Sequence, residues 1–266
     1  MLRHTTAPVA DDRPVLIVLH QEHSSPGRIG RLLRAQGRVL DIRRPRFDDP
    51  LPASMADHAG AVVFGGPMSA NDPDDWIARE IDWIGVPLSE NAPFLGVCLG
   101  AQMLARHLGQ PVLPHPEGRV EIGYYPITPT AEAERLFEGT FPRHVYQWHR
   151  EGFVTPPGTV ALATGLDFEC QAFRLGRAYG VQFHPEVTYA MMCKWTVLGA
   201  SRMASPGALP RRGHLDGWFT HDGAVARWTD RFLRLWLAGA DGPVAGPACP
   251  SVERALDAGT LEPLTA

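Results

Sequence analysis

The stretch Phe94-Leu95-Gly96-Val97-Cys98-Leu99-Gly100-Ala101-Gln102 decides how this chain folds. Residues 93–97 form a short apolar run, and residues 99–108 repeat apolar side chains with helical spacing up to Gly109. Cys98 therefore lies at a sharp turn from a buried strand into a helix, and the flanking glycines permit that turn, the geometry of a nucleophile elbow. We expect the turn to expose the Cys98 side chain and the positive end of the helix dipole to stabilise its thiolate. The alternative is an ordinary buried core cysteine, which would not require both glycines.

Upstream of this turn, predicted strands and helices alternate. Apolar runs predict strands at residues 14–19, 39–42 and 60–64. Amphipathic spacing predicts a helix at residues 27–36, and a second helix is predicted with Asp72 as its N-cap. This order indicates an α/β fold with a doubly wound, mostly parallel sheet flanked by helices. In such a fold, ligands bind at the carboxyl ends of the strands.

The second half of the chain shows a different pattern. Short strand-like runs separated by turn residues predict small antiparallel additions to the edge of the sheet. Helices are predicted at residues 187–203 and 224–238. A loop is predicted at residues 202–222, with His214 at the surface.

Size, charge and cysteine content limit the classes of protein that remain. At 266 residues the chain can bury a large core. We expect one α/β domain at residues 14–239, between a flexible N-terminus at residues 1–13 and a Gly/Pro/Ala-rich tail at residues 240–266. A net charge of −4 gives no basic field for nucleic acid, and no apolar run is long enough for a membrane span. The four cysteines form no C-x-x-C pair and fit a reducing cytoplasm, and no histidine spacing predicts a metal site.

Gly65-Gly66-Pro67 follows the predicted strand at residues 60–64, at its carboxyl end. Such a turn lets a substrate come close to backbone N–H groups. We interpret it as one half of an oxyanion hole, whose other half is the N–H of Leu99 after Cys98. Taken alone, the same three residues would fit a plain tight turn.

A second chemical motif lies at residues 178–186. A predicted strand ending at Phe183 delivers His184 to the same edge of the sheet as Cys98, and Glu186 can reach back to the imidazole. A cysteine, a histidine that accepts its proton and a carboxylate that orients the histidine make a nucleophilic triad. The alternative is a histidine that caps the following helix, with Glu186 as an ordinary acid of its first turn.

Together these motifs resemble those of the class I (triad) glutamine amidotransferases, above all stand-alone proteins similar to the glutaminase domain of GMP synthase. The resemblance covers roughly residues 15–195 and is carried by Gly-x-Cys-x-Gly-x-Gln around Cys98 and by Phe-His-Pro-Glu ending at Glu186. It implies a class I glutamine amidotransferase-like, flavodoxin-like α/β fold. It also implies Cys98 as nucleophile, His184 as base and then acid, and Glu186 as the group that orients the histidine.

The resemblance further implies how substrate is bound. Gly66 and Leu99 would supply the oxyanion N–H groups, with Gly65 beside the substrate. Gln102 follows Cys98 by one helical turn and would contact the amino-acid end of the substrate.

Trp148 and His149 lie where relatives present a segment that lines the glutamine pocket, often with a small polar residue before the histidine. Here that residue is the bulky Trp148. If its backbone binds the substrate the difference matters little, whereas a side chain in the pocket would count against glutamine. His149 is open to two interpretations, a pocket-lining residue or a structural residue at a strand end.

The implied reaction is attack of a thiolate on the γ-carboxamide of glutamine, release of ammonia and hydrolysis of a γ-glutamyl thioester, without cofactor or metal. The sequence has no Ser-Gly-Gly-Val-Asp-Ser phosphate loop, so an ammonia-accepting synthase would be a separate chain. A γ-glutamyl peptidase acting on small γ-glutamyl peptides would share the same acyl-enzyme. A third hypothesis is a catalytically retired binding or regulatory protein. The sequence also leaves open a homo-oligomer.

Overall fold

The computed structural model of the protein describes residues 12–239. Two predicted segments lie outside the described residues. They are the tail at residues 240–266 and residues 1–11 of the N-terminal segment predicted at residues 1–13. The strands are β1 (Val15–Val18), β2 (Leu40–Arg43), β3 (Gly60–Val63), β4 (Phe94–Val97), β5 (Leu113–Pro114), β6 (Glu121–Pro126), β7 (Thr128–Pro129), β8 (His144–His149), β9 (Glu151–Gly152), β10 (Val160–Thr164), β11 (Cys170–Leu175) and β12 (Ala178–Val181). The helices are α1 (Gly27–Ala35), α2 (Asp75–Trp83), α3 (Gly85–Ser89), α4 (Leu99–His107), α5 (Ala131–Leu136), α6 (Tyr189–Leu198) and α7 (Arg211–Ala238).

The central element within residues 12–239 is an eight-stranded sheet with the order β2-β1-β3-β4-β12-β11-β10-β7. The neighbouring pairs among β2, β1, β3, β4 and β12 are all parallel. The pairs β12–β11, β11–β10 and β10–β7 are antiparallel. Small antiparallel sheets pair β5 with β9 and β6 with β8. The predicted doubly wound, mostly parallel sheet with antiparallel additions is therefore confirmed. Because β4 and β12 are parallel neighbours, with Val97 opposite Val181, the residues that follow them emerge at one edge of the sheet.

Helices cover both faces of the parallel strands. Val15 and Ile17 of β1 belong to an apolar cluster with residues of α1 and α7, whereas Leu16 and Val18 belong to a second cluster with residues of α2 and α4. All four side chains are fully buried. A strand buried on both faces is apolar throughout, which is why these strands are visible in the sequence as continuous apolar runs. No helix within residues 12–239 combines the length and the apolar character needed to cross a membrane.

The predicted loop at residues 202–222 is wrong in its second half, because α7 already begins at Arg211. His214, predicted at the surface, is fully buried in the first part of this helix. Its Nε2–H donates to the carbonyl of Leu209 at 3.1 Å, and its Nδ1 accepts from the hydroxyl of Tyr146 at 3.0 Å. Burial lowers the pKa of His214, as expected for a neutral ring held between a donor and an acceptor.

Two predicted helix boundaries also differ from the structure. Asp74, not Asp72, is the N-cap of α2. The carboxylate of Asp72 instead accepts from the N–H of Ser69 at 2.9 Å and closes the preceding turn. The predicted helix at residues 187–203 is divided into α6 and a short 3₁₀ turn at Ala200–Ala204.

Candidate active site

The turn between β4 and α4 has the strained geometry that the sequence predicts. Cys98 has φ 50° and ψ −104°, a positive φ that is costly for a residue with a side chain. The glycines on either side are required for steric reasons. A Cβ at Gly96 would lie 2.5 Å from the carbonyl oxygen of Gly100, and a Cβ at Gly100 would collide with the carbonyl of Val63. Strain at a buried turn of this kind is typical of a functional site rather than of a core cysteine.

The Cys98 side chain is only 5% exposed, so the expectation of an exposed thiol is wrong. The amide of Gln182, itself fully buried, lies beside the sulfur, with Nε2 and Sγ 3.7 Å apart. Gln182 is not part of the predicted Gly-x-Cys-x-Gly-x-Gln or Phe-His-Pro-Glu motif. Residues two apart in an extended segment face the same side, and Gln182 precedes His184 by two. That spacing is the signal by which Gln182 could have been found.

His184 and Glu186 form a buried hydrogen-bonded pair. The Nδ1–H of His184 donates to Oε1 of Glu186 at 2.8 Å, and both side chains are about 5% exposed or less. The strand before His184 ends at Val181, earlier than the predicted Phe183, and the backbone N–H of His184 donates to the carbonyl of Tyr146 at 2.9 Å, which fixes its position beyond the strand end. Burial opposes protonation of the imidazole, but the charges of Glu186 and Cys98 outweigh burial and raise the pKa of His184 to about 10. His184 is therefore favoured in its protonated form beside the sulfur.

The Gly65-Gly66 turn lies directly against this pair. A Cβ on Gly65 would be 2.9 Å from Cε1 of His184 and 3.3 Å from Cβ of Cys98. A Cβ on Gly66 would be 3.2 Å from the side chain of Leu99, at the start of α4. Within residues 12–239 the N–H of Gly66 has no backbone partner, and Leu99 is the first residue of its helix, whose N–H has no partner inside the helix. The two N–H groups predicted for the oxyanion hole thus belong to adjacent segments beside Cys98.

A cavity of about 810 Å³ opens on the histidine side of this arrangement. Five of the predicted site residues line it: Gly65, Gly66, Trp148, His184 and Glu186. Cys98 and Leu99 are not among its lining residues. The sulfur therefore lies behind Gly65 and the imidazole ring rather than in the cavity wall.

Gln102 and His149, predicted to contact the substrate, lie outside the cavity wall. Both are held by other groups. The amide of Gln102 donates to the carbonyl of Glu151 at 2.8 Å, and Nδ1 of His149 is 3.0 Å from the same oxygen. Nε2 of His149 lies 2.9 Å from the buried carboxylate of Glu121. Of the two interpretations of His149, the structure therefore favours the structural residue at a strand end.

Trp148 reaches the cavity with its side chain. Its ring packs edge-on against Trp195 at 5.8 Å between centroids, and the ring of Trp195 in turn packs edge-on against His184 at 5.0 Å. Trp195 lies in α6, and its helical spacing in the sequence is that of an ordinary packing residue. In the structure it lines the cavity and supports the imidazole.

An ion pair that the sequence did not predict holds the turn after His184. Arg28, at the start of α1, donates its backbone N–H to the carbonyl of Glu186 at 2.7 Å and its guanidinium to the carbonyl of Pro185 at 3.1 Å. The same guanidinium pairs with Asp222 of α7 at 2.5 Å. Both side chains of the ion pair are largely buried. The arginine of α1 and the aspartate of α7 thus hold the backbone of Pro185 and Glu186 in place.

Comparison of the whole sequence and fold with known proteins identifies one family. Residues 28–192, more than half of the chain, match the family model described as glutamine amidotransferase class-I. The protein belongs to the class-I glutamine amidotransferase family.

Among its relatives is the GMP synthase [glutamine-hydrolyzing] of Pyrobaculum aerophilum, which is 35% identical over 161 residues. That alignment covers 60% of this chain and 30% of the synthase, so the chain matches less than a third of the length of this relative. A solved glutamine amidotransferase from Methylobacillus flagellatus superposes with a TM-score of 0.79 and 27% identity, covering 86% of this chain and 95% of that one. A second, from Thermotoga maritima, gives a TM-score of 0.76 and 26% identity, with coverage of 85% and 98%.

Proposed function

We propose that this protein hydrolyses the γ-carboxamide of glutamine through Cys98, His184 and Glu186 and releases ammonia for a separate acceptor enzyme. The observation that carries the proposal is the strained Cys98 turn placed beside the buried His184–Glu186 pair, with Gly65 in contact with both. Membership of the class-I glutamine amidotransferase family supports the same chemistry.

In the first half-reaction the Cys98 thiolate attacks the carboxamide carbon and a C–S bond forms. The N–H groups of Gly66 and Leu99 stabilise the negative oxygen, and each such donor contributes about 2.7–4 kcal/mol in related sites. His184 donates its Nε2 proton to the nitrogen, the C–N bond breaks, and ammonia leaves. A γ-glutamyl thioester and a neutral imidazole remain.

In the second half-reaction the neutral imidazole of His184 takes a proton from water. The hydroxide attacks the thioester carbon, the C–S bond breaks, and glutamate leaves while the Cys98 thiolate is regenerated. Glu186 holds the Nδ1–H of the imidazole throughout, so that Nε2 stays directed at the reacting atoms. The pKa of His184, raised by Glu186 and Cys98 despite burial, supports a resting imidazolium that can donate its Nε2 proton.

The proposed fate of the ammonia is transfer to a synthase on another chain. The name of the relative from Pyrobaculum aerophilum, a glutamine-hydrolysing GMP synthase, supports a synthase as the acceptor of the ammonia. We place the reaction in the cytoplasm. The free thiols of Cys98, Cys170 and Cys193 suit a reducing compartment.

A second candidate is hydrolysis of small γ-glutamyl peptides, and the cavity favours it. The side chain of Trp148 reaches this cavity, which counts against glutamine itself. A volume of about 810 Å³ is in the range that holds drug-sized ligands, which are much larger than glutamine. The lining also includes the exposed cationic side chains of Arg46, Lys194 and Arg202, and none of them forms an ion pair with another described residue. They could hold a carboxylate on the amine portion of such a peptide.

Replacement of the proposed nucleophile tests both candidates. Cys98→Ala should abolish hydrolysis of γ-glutamyl substrates without unfolding the protein, whereas the matched control Cys193→Ser, outside the cavity wall, should retain it. Undiminished turnover by Cys98→Ala would dismiss the triad. No turnover of any γ-glutamyl substrate by the natural protein would favour the retired binding protein.

Product analysis separates the two substrates. Ammonia released from glutamine at a useful rate favours the amidotransferase, and amine released only from γ-glutamyl dipeptides favours the peptidase. In the second case, Arg202→Ala should raise KM for dipeptides with a free carboxylate and leave KM for their amides unchanged.

A further inference from the structure

A third buried histidine–carboxylate pair, besides His184–Glu186 and His149–Glu121, lies behind the Gly65-Gly66 turn, and the mechanism above does not use it. His20 follows β1 at its carboxyl end, and Glu80 belongs to α2. Nε2 of His20 is 2.8 Å from Oε1 of Glu80, and Nδ1 is 3.2 Å from the carbonyl oxygen of Gly65. Both ionisable side chains have no exposed surface.

The two partners of His20 determine the protonation of its ring. A carbonyl oxygen and a carboxylate are both acceptors, so the ring satisfies both contacts only when both nitrogens donate, which is the imidazolium form. Burial opposes this charge, but Glu80 and the carbonyl of Gly65 more than offset it and raise the pKa of His20. A fully buried ion pair is weak evidence for stability, since the cost of desolvation offsets most of the attraction. Stability alone therefore does not explain why the His20 ring also contacts the carbonyl of Gly65.

The bond from His20 acts on the peptide group that joins Gly65 to Gly66. A trans peptide is planar, so its C=O and N–H point in opposite directions. When His20 holds the oxygen of Gly65 on one side, the N–H of Gly66 must point to the other side. A Cβ on Gly66 would lie 3.2 Å from Cβ of His20, so the His20 side chain packs closely against this peptide.

We infer that His20, held by Glu80, is a positioning residue that locks the Gly65–Gly66 peptide with its N–H directed into the oxyanion hole. Without the bond, this peptide can rotate and withdraw the Gly66 N–H from the developing oxyanion. The inference rests on the proposed function for its effect on turnover, whereas the hold on the turn is independent of it. Loss of one oxyanion-hole donor lowers kcat by about 100- to 1,000-fold, so partial loss of alignment should cost about 10- to 100-fold in kcat.

A pair of isosteric variants isolates the bond to Gly65. The amide nitrogen of asparagine occupies about the place of Nδ1, and that of glutamine about the place of Nε2. His20→Asn therefore keeps a donor for Gly65 and loses the contact with Glu80, and His20→Gln does the reverse. Each is made together with Glu80→Gln, so that neither variant buries an unpaired carboxylate.

Two measurements test the inference. In steady-state kinetics with glutamine, the variant with His20→Gln should lose about 10- to 100-fold in kcat with KM nearly unchanged, and the variant with His20→Asn should stay within a few-fold of Glu80→Gln alone. Hydrogen–deuterium exchange of the segment at residues 64–69 should be faster with His20→Gln than with His20→Asn.

Each measurement can refute a different part of the inference. Equal exchange in the two variants refutes the hold of His20 on the turn, whether or not the protein hydrolyses glutamine. Different exchange with equal kcat shows that the turn is held but that its orientation does not serve catalysis, which also overturns the inference. A natural protein inactive toward every γ-glutamyl substrate contradicts the proposed function and the catalytic part of the inference, and exchange then decides the hold on the turn alone.

Discussion

Replacing Gly65 by alanine would insert one methyl group between the two side chains on which the proposed chemistry depends. An ideal Cβ at this position lies 2.9 Å from Cε1 of His184 and 3.3 Å from Cβ of Cys98. Carbon atoms in ordinary contact are about 3.5–4.0 Å apart, so the imidazole must move by about 0.6–1.1 Å. A misplacement of about 1 Å can cost about 100-fold in rate. We therefore expect Gly65→Ala to lower kcat/KM for glutamine by about 100-fold, or about 2.7 kcal/mol of transition-state stabilisation.

The backbone itself does not oppose this substitution, because Gly65 is not among the residues with positive φ. Gly223→Ala provides the matched control. It makes the same chemical change inside α7, where the nearest atom to the new Cβ is 3.5 Å away, and alanine should stabilise the helix slightly. The assay is ammonia release from glutamine, with thermal unfolding measured in parallel. Equal kcat/KM for the two folded variants would refute the geometry on which the proposed mechanism rests.

Three further outcomes follow from the buried charges. Arg28→Met should lower the free energy of unfolding in urea by about 3–5 kcal/mol, because Asp222 is left buried without its ion-pair partner. Adding Asp222→Leu should restore part of the lost stability. An unchanged urea midpoint for Arg28→Met would contradict this expectation. The pKa of His184 rises from 6.5 to about 10 on folding, so its stabilising contribution is complete below pH 6.5 and declines toward about pH 10. Urea unfolding of the natural protein and of His184→Asn should therefore converge over that range, and a constant difference would disprove the assignment. Burial raises the pKa of Cys170 to about 12, so iodoacetamide near pH 8 should leave it unmodified in the folded protein, and peptide mass spectrometry showing labelled Cys170 would refute this.

The parallel strands of the core could be predicted from the sequence because each of them leaves a local pattern. Strands buried on both faces must be apolar throughout, so β1, β3 and β4 were visible as uninterrupted runs. The turn at Cys98 was equally visible, because only small neighbours permit its positive φ. The meeting of Cys98 and His184 required one more step, the assumption that the two preceding strands are parallel. The pairing of β4 with β12 confirms that assumption.

The unforeseen positions of His214 and His149 share a physical cause, which is contact between segments far apart in the sequence. His214 is polar and stands among glycines and prolines, and nothing local shows that Tyr146 and Leu209 satisfy its ring in the core. His149 likewise carries no sign of its buried partner Glu121. Fold class follows from local pattern, but the partner of a buried polar group follows only from tertiary structure.

The same reasoning explains why His20 escaped notice. Its partner Glu80 is 60 residues away, and the third member of the arrangement is a backbone carbonyl, which no sequence pattern reports.

The bond between Arg28 and Asp222 also has a consequence for how the chain is made. The two residues are separated by 194 positions, so the ion pair that positions the turn beside Glu186 forms only after nearly the whole described chain has been synthesised. A nascent or truncated chain that ends before α7 would have the arginine at its site but no acid to neutralise it. Ribosome-bound fragments should thus lack the finished turn at Pro185 and Glu186 until translation has passed the last helix.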